Sequence, residues 1–158
     1  MKAITIWQPW ASLLACGAKQ YETRSWSTSY RGPIAIHAAK RLFDTDPYFD
    51  RELHPFADAL NLPDIYSFDT LPHGGIIATA ELVECWKIDK IGHTLGCDKA
   101  AHISNNIESK FNIVQGKELL FGDWTLGRYA WEFTNMKVLD EPIPAKGHQR
   151  RWNWEVSE

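Results

Sequence analysis

Alternation in the first residues predicts a strand. In Ala3-Ile4-Thr5-Ile6-Trp7, Ile4 and Ile6 fall on one face and Thr5 and Trp7 on the other, the period of a half-buried strand. Pro9 follows where a helix tolerates it, in the first turn. Trp10 to Cys16 then has helical apolar spacing up to Gly17, a natural left-handed stop. Tyr21 to Trp26 reads as a second strand with Glu22, Arg24 and Trp26 on one face. Arg31-Gly32-Pro33 is a turn ahead of the apolar run IAIHAA.

Farther along, Asp46 can cap a helix before Pro47, and Phe49, Leu53, Phe56, Ala57 and Leu60 recur near helical spacing. This predicts an amphipathic helix with a solvated acidic face, interrupted or kinked near Pro55. HGGIIATAELVECW is the clearest long strand, launched by Gly74-Gly75. Residues 87 to 116 have weak periodicity, and AAHISNNIESKF within them reads as a short helix. RYAWEFTNMKVL alternates, with Tyr129, Trp131 and Phe133 on one face. The closing PIPAKGHQRRWNWE is marked by Pro and Gly and should be ordered mainly by Trp152 and Trp154. Strands outnumber helices and lack regular crossover helices between them. The expected fold is therefore α+β, a mixed or antiparallel sheet forming a small β-barrel with peripheral helices.

A length of 158 residues fits one domain, 1–158. No apolar run of about 18 residues exists, and the first residues lack a basic region followed by an apolar stretch, so neither a membrane span nor a secretory signal is expected. Cys16, Cys85 and Cys97 are too few and odd in number for a disulfide scaffold, and free thiols suit a reducing, cytoplasmic setting. The formal net charge of −3 conceals opposed segments. Residues 1 to 43 carry six basic groups against one acidic, and residues 44 to 69 one against seven. A basic cluster, Lys146, Arg150 and Arg151, returns near the end. The two basic regions could converge on an anion-binding face, or belong to an ordinary mixed surface. Of the eight tryptophans, Trp7, Trp10, Trp26 and Trp152 lie nearest the basic residues and are the candidates for stacking on a flat ligand; the rest are expected in the core.

The densest chemistry is Gly17-Ala18-Lys19-Gln20-Tyr21-Glu22-Thr23-Arg24. On a strand, Glu22 and Arg24 share a face, so the guanidinium can fix the carboxylate or leave it to accept from a ligand. Lys19, just after the glycine stop, can reach toward the same place. Such a trio can bind phosphate, polarise a carbonyl or transfer a proton, and it can equally be a structural ion pair.

These residues fit GxKxxExR, and on them the chain resembles the ASCH domain, a member of the PUA-like superfamily. The resemblance extends to Trp7-Gln8-Pro9-Trp10, to the RGPIAIHAAK and GGIIATAELVEC strands, and to the YAWEF and PIPAKGHQRRWNW segments, which look like ASCH proteins of bacteria and phages. It implies a PUA-like barrel with a cleft where Lys19, Glu22 and Arg24 converge, in a superfamily associated with RNA. Some ASCH relatives are hydrolases: a group that deacetylates acetylated cytidine nucleosides, and others described as ribonucleases. In the deacetylating group a catalytic threonine stands at the place of Glu22, and this chain lacks it.

Lys146, Gln149, Arg150 and Trp152 could close over a nucleotide, with Arg on phosphate, Gln149 on a base edge and Trp152 stacking; they could equally form a tail pinned to the barrel. His93, Cys97 and His102 match no tight zinc spacing, so no metal is expected, and no cofactor motif is present. His37, on an apolar strand, reads as a satisfied core or cleft-edge histidine, and His148 has no orienting partner in sequence. Two functions are expected from these residues. The first is an RNA- or nucleotide-binding module using Trp7, Trp10, Lys19, Glu22, Arg24, Trp26, Lys146, Gln149, Arg150 and Trp152. The alternative is a small hydrolase of RNA or a modified nucleoside, with Lys19 and Glu22 as acid/base pair and Arg24 stabilising charge.

Overall fold

A computed structural model describes residues 1–42, 50–93 and 99–155. The chain is mainly a mixed β-sheet that does not close, with few helices. The strands are β1 (Lys2–Ile6), β2 (Tyr21–Arg24), β3 (Gly32–Ala38), β4 (Gly75–His93), β5 (Lys99–Asn105), β6 (Lys110–Gln115), β7 (Tyr129–Pro144) and β8 (Arg151–Asn153); the helices are α1 (Trp10–Ala15) and α2 (Asp50–Ala59). The main strand order is β2-β7-β4-β3-β1-β8, with β5 on β4 and β6 on β5. No helix among the described residues is long and apolar enough to cross a membrane.

The chain divides into two compact units. The first comprises residues 1–19, 33–81 and 135–158, the second residues 20–32 and 82–134, and the long strands β4 and β7 each contribute to both. In the first unit β1 pairs parallel with β3 and antiparallel with β8. Its core includes Ala3, Ala35, Ile76 and Trp154, with Trp152, Leu139 and Ile143 against them. In the second unit β4 pairs antiparallel with β5 and β5 with β6, and Tyr21, Trp86, Ile88, Ala101, Ile103, Val114 and Trp124 form a core.

Helix α1 starts one residue later than expected: Pro9 is its N-cap, and Gly17 ends it at φ +79°. Its entry is fixed by Gln8, which is buried; the side-chain amide donates to the Pro72 carbonyl at 2.7 Å, and its oxygen accepts from the Ser12 N–H at 3.0 Å. One side chain thus satisfies an orphan donor of the first turn and ties the helix to the 72–75 turn. Helix α2 runs through Pro55 without the expected break, because burial of Leu53, Phe56 and Ala57 holds the turns on either side. The expected cap Asp46, with Pro47 and Phe49, lies outside the described residues.

The expected helix at AAHISNNIESKF is instead the β5–β6 hairpin. Ala101 and Ile103 are buried at period two, and β4 extends far enough, to His93, to template them. The turn is closed by the Asn105 side chain, which accepts from the Ile107 N–H at 3.0 Å, and Ser109 takes φ +54°. The closing segment is ordered as expected, with Trp152 and Trp154 against the first unit's core.

Replacing Gln8 by Ala strands a buried N–H and a half-buried carbonyl together. The expected loss is about 1–3 kcal/mol of unfolding free energy, read as a lower urea midpoint at unchanged slope. A midpoint equal to wild type removes Gln8 from this role.

Candidate functional site

The GxKxxExR residues fall in both units: Gly17 and Lys19 belong to the first, Glu22 and Arg24 to the second. In the second unit, β2 pairs with β7 so that Glu22 lies opposite Trp131 and Arg24 opposite Tyr129. The start of β2 is clamped by the Glu118 carboxylate, which accepts from the Gln20 N–H at 3.0 Å and the Tyr21 N–H at 2.9 Å. Glu22 is only 8% exposed, and its Oε1 stands 3.2 Å from Arg24 Nε. The shared face expected from the i, i+2 spacing therefore brings these two together. Trp26 is half-buried, edge-on to Trp131 at 4.6 Å, and its carbonyl accepts from the Trp131 indole N–H at 3.3 Å. Burial, with the Glu132 and Glu118 charges, pushes the Tyr21 phenol up to about 12.

In the first unit, Lys19 donates its backbone N–H to the Leu13 carbonyl at 3.0 Å and is 2% exposed. An ammonium held out of water requires polar partners, so Lys19 is part of the architecture as well as a candidate ligand group. Trp10 packs edge-on against Phe56 at 5.9 Å, as a core residue would. Trp7 is 52% exposed, and the Arg41 guanidinium lies 4.9 Å from its ring centroid.

The C-terminal motif also lies in this unit. Between β7 and β8 the chain crosses as a strap, residues 145–150, in which Lys146, His148, Gln149 and Arg150 are exposed and Arg150 takes φ +60°. The pairing of Thr5 with His37, and of Ala3 with Trp152, puts Thr5, His37 and Trp152 on one face. The Trp152 indole N–H donates to Thr5 Oγ1 at 3.2 Å, and its ring lies edge-on to His37 at 5.7 Å. His148 lies 5.1 Å from Trp152, a partner the sequence did not reveal.

His37 is 1% exposed, and its Nε2 is 3.0 Å from the Ala145 carbonyl. A carbonyl only accepts, so Nε2 carries the proton and Nδ1 is a bare acceptor. That Nδ1 is buried without a hydrogen-bond partner among the described residues, so the expectation of a satisfied histidine holds among them for one ring nitrogen only. Burial holds the imidazole below its ordinary range against the Ala145 hydrogen bond, and His148 lowers it further.

A family model for the ASCH domain matches residues 4–142. This chain belongs to the ASCH domain family. Activating signal cointegrator 1 of Homo sapiens is 33% identical over 82 residues, 52% of this chain and 14% of that protein, and the Mus musculus protein of the same name matches to the same extent. The ASCH chain thus spans a small part of these relatives' length. Among the described residues no three His, Cys, Asp or Glu side chains are placed to share a metal ion, and Cys97 lies outside them.

Sequence reasoning missed Thr5, Arg41 and Gly147 around these candidates. The first two could have been found, since Thr5 alternates onto the face of Trp7 and Arg41 belongs to the basic N-terminal segment. The approach of Gly147 to His37 has no local signal.

The depressed His37 predicts a pH dependence of stability. Above about pH 6.5 the imidazole is neutral folded and unfolded alike; as pH falls through 6.5 the unfolded chain takes up a proton that the native state refuses. Stability therefore falls toward acid until the folded ring also protonates. Thermal midpoints between about pH 7.5 and 5 should decline more steeply for wild type than for His37→Gln; parallel curves exclude the assignment.

Proposed function

We propose that this ASCH domain binds single-stranded RNA or a nucleotide-like ligand, with exposed cations taking phosphate and tryptophan taking a base. The observation that carries the reading is Trp7, a half-exposed ring with a guanidinium over it in a unit whose strap carries Lys146, Gln149 and Arg150 and leads into Trp152 on β8. An exposed indole is a stacking surface for any base, and cations already in water neutralise phosphate with little desolvation cost. Among the tryptophans singled out, Trp7 and Trp152 are the stacking groups; Trp10 and Trp26 are packed on Phe56 and Trp131 within their own units. The signature adds Lys19 as a candidate ligand group in the first unit, and Glu22 and Arg24 as candidates in the second. The ion pair to Arg24 favours Glu22 as a fixed acceptor for a base amine or sugar hydroxyl over Glu22 as a proton-transfer base. The association of PUA-like domains with RNA supports the same reading.

Fluorescence anisotropy with labelled single-stranded RNA over a salt series tests it. Binding should weaken as salt rises, and Lys146→Ala should lower the slope of log K against log salt by about 1. Trp7→Ala should weaken binding roughly 5- to 100-fold, the range of one lost base stack. Arg24→Ala should weaken it as well. Salt-independent binding, or binding indifferent to all three substitutions, overturns the reading. Time-dependent loss of the RNA, abolished by Glu22→Gln, would assign hydrolysis by Lys19 and Glu22 instead.

A further inference from the structure

His37 Nδ1 is a buried acceptor with its tautomer fixed and no donor among the described residues, a state that ordinarily costs stability and that folded proteins mostly avoid. What covers it is Gly147 of the strap. A Cβ added at Gly147 would stand 2.5 Å from His37 Cε1, 2.8 Å from Nδ1 and 3.0 Å from Thr5 Oγ1, so the strap lies flush on the imidazole and only glycine fits. The strap's side chains lie mostly in water. Lys146, His148, Gln149 and Arg150 are exposed, the half-buried Ala145 is tied to Gly74 and His37 at one end, His148 packs on Trp152 and β8 follows at the other, and Arg150 adopts a left-handed backbone. Segments whose side chains are mostly exposed are among the first to open.

Lifting Gly147 uncovers a bare nitrogen acceptor, the Thr5 hydroxyl and the wall of Trp152, and the strap itself carries the exposed cations Lys146 and Arg150. The chemistry complementary to that set is a planar heterocycle carrying an N–H donor on its edge and an anion beside it.

We infer that His37, Thr5 and Trp152 form a nucleobase subsite closed in the free protein by the 145–150 strap, in which His37 Nδ1 accepts a hydrogen bond from a base amino or imino group once Gly147 moves aside. This rests on the nucleotide-binding reading above and adds the residue that reads the base. The same acceptor that lies idle in the closed form is paired in the open, occupied form, so ligand and strap compete for one position. Specificity follows from the tautomer: with Nε2–H committed to Ala145, the ring takes a donor and offers none to a ligand acceptor at Nδ1.

The test uses the full chain labelled with nitrogen-15 in its histidines, observed by long-range proton–nitrogen correlation and titrated with the four nucleoside 5′-monophosphates and with single-stranded RNA. Free protein should display His37 as the Nε2–H tautomer with an unbonded Nδ1, and a binding probe should move the Nδ1 resonance upfield while Nε2–H persists. His37→Ala should weaken the tightest-binding probe about tenfold, the effect of one hydrogen bond to a buried acceptor, and leave the salt dependence of binding unchanged. An Nδ1 resonance unmoved at saturation, or a variant that binds every probe like wild type, overturns the subsite while the RNA-binding reading stands. Failure of wild type to bind RNA or any monophosphate overturns both.

Discussion

The first unit depends on β1, a five-residue strand hydrogen-bonded on both sides, to β3 and to β8. Two segments far apart in the chain are thereby set against the N-terminus, and the Met1 ammonium and the Trp154 N–H each donate across the chain ends at 2.8 Å. Register is what this strand enforces. Because side chains alternate, a slip of one residue would turn Thr5 away from His37 and Trp152 and put Ile4 in its place. The apolar demand of Ala3 and Ala35 on one side, and of Ile4, Ile6, Ile34 and Ile36 on the other, prevents the slip, so core packing aims the polar face.

Much of this was legible in sequence wherever the determining signal is local. The AITIW alternation, the glycine stop after α1 and the i, i+2 placement of Glu22 and Arg24 depend on neighbours in the chain, and each fold element among them stands as read. The β5–β6 hairpin was misread because Ala100-Ala101 and the charged Glu108 and Lys110 carry helical propensity, while the strand signal comes from pairing with the far end of β4. Sequence could not separate the tryptophans either. Nearness to basic residues selected Trp7, Trp10, Trp26 and Trp152 together, yet Trp10 meets Phe56 and Trp26 meets Trp131, contacts between residues 46 and 105 positions apart in the chain. The ASCH signature was legible as a pattern, and the family match over residues 4–142 agrees with it.

Charge is used in two ways, distinguished by desolvation. In the second unit Arg31 pairs with the buried Glu84; burial alone would raise that carboxyl, but the Cys85 N–H, Asn105 and the Arg31 guanidinium outweigh it and hold it below its ordinary range. Such a pair is committed to the fold, since removing Arg31 leaves a buried carboxylate without its cation. Lys146 lies in water and is committed to nothing of the kind. Small net charge and a phosphate-binding role are therefore compatible: the acidic groups of residues 44 to 69 offset the sum without occupying the strap.

An unpaired nitrogen at His37 has a bearing on why the fold tolerates it. A small apolar side chain at the same point of β3 would share its face with Ala35 without leaving an acceptor stranded. A glycine directly above then adds conformational freedom to a strap that an alanine would stiffen, at the one place where alanine has no room. Both choices lower the stability of the closed form, and they act on the same contact. Local costs that coincide in this way are the physical mark of an element balanced between two states, with the second supplied by whatever donates to Nδ1.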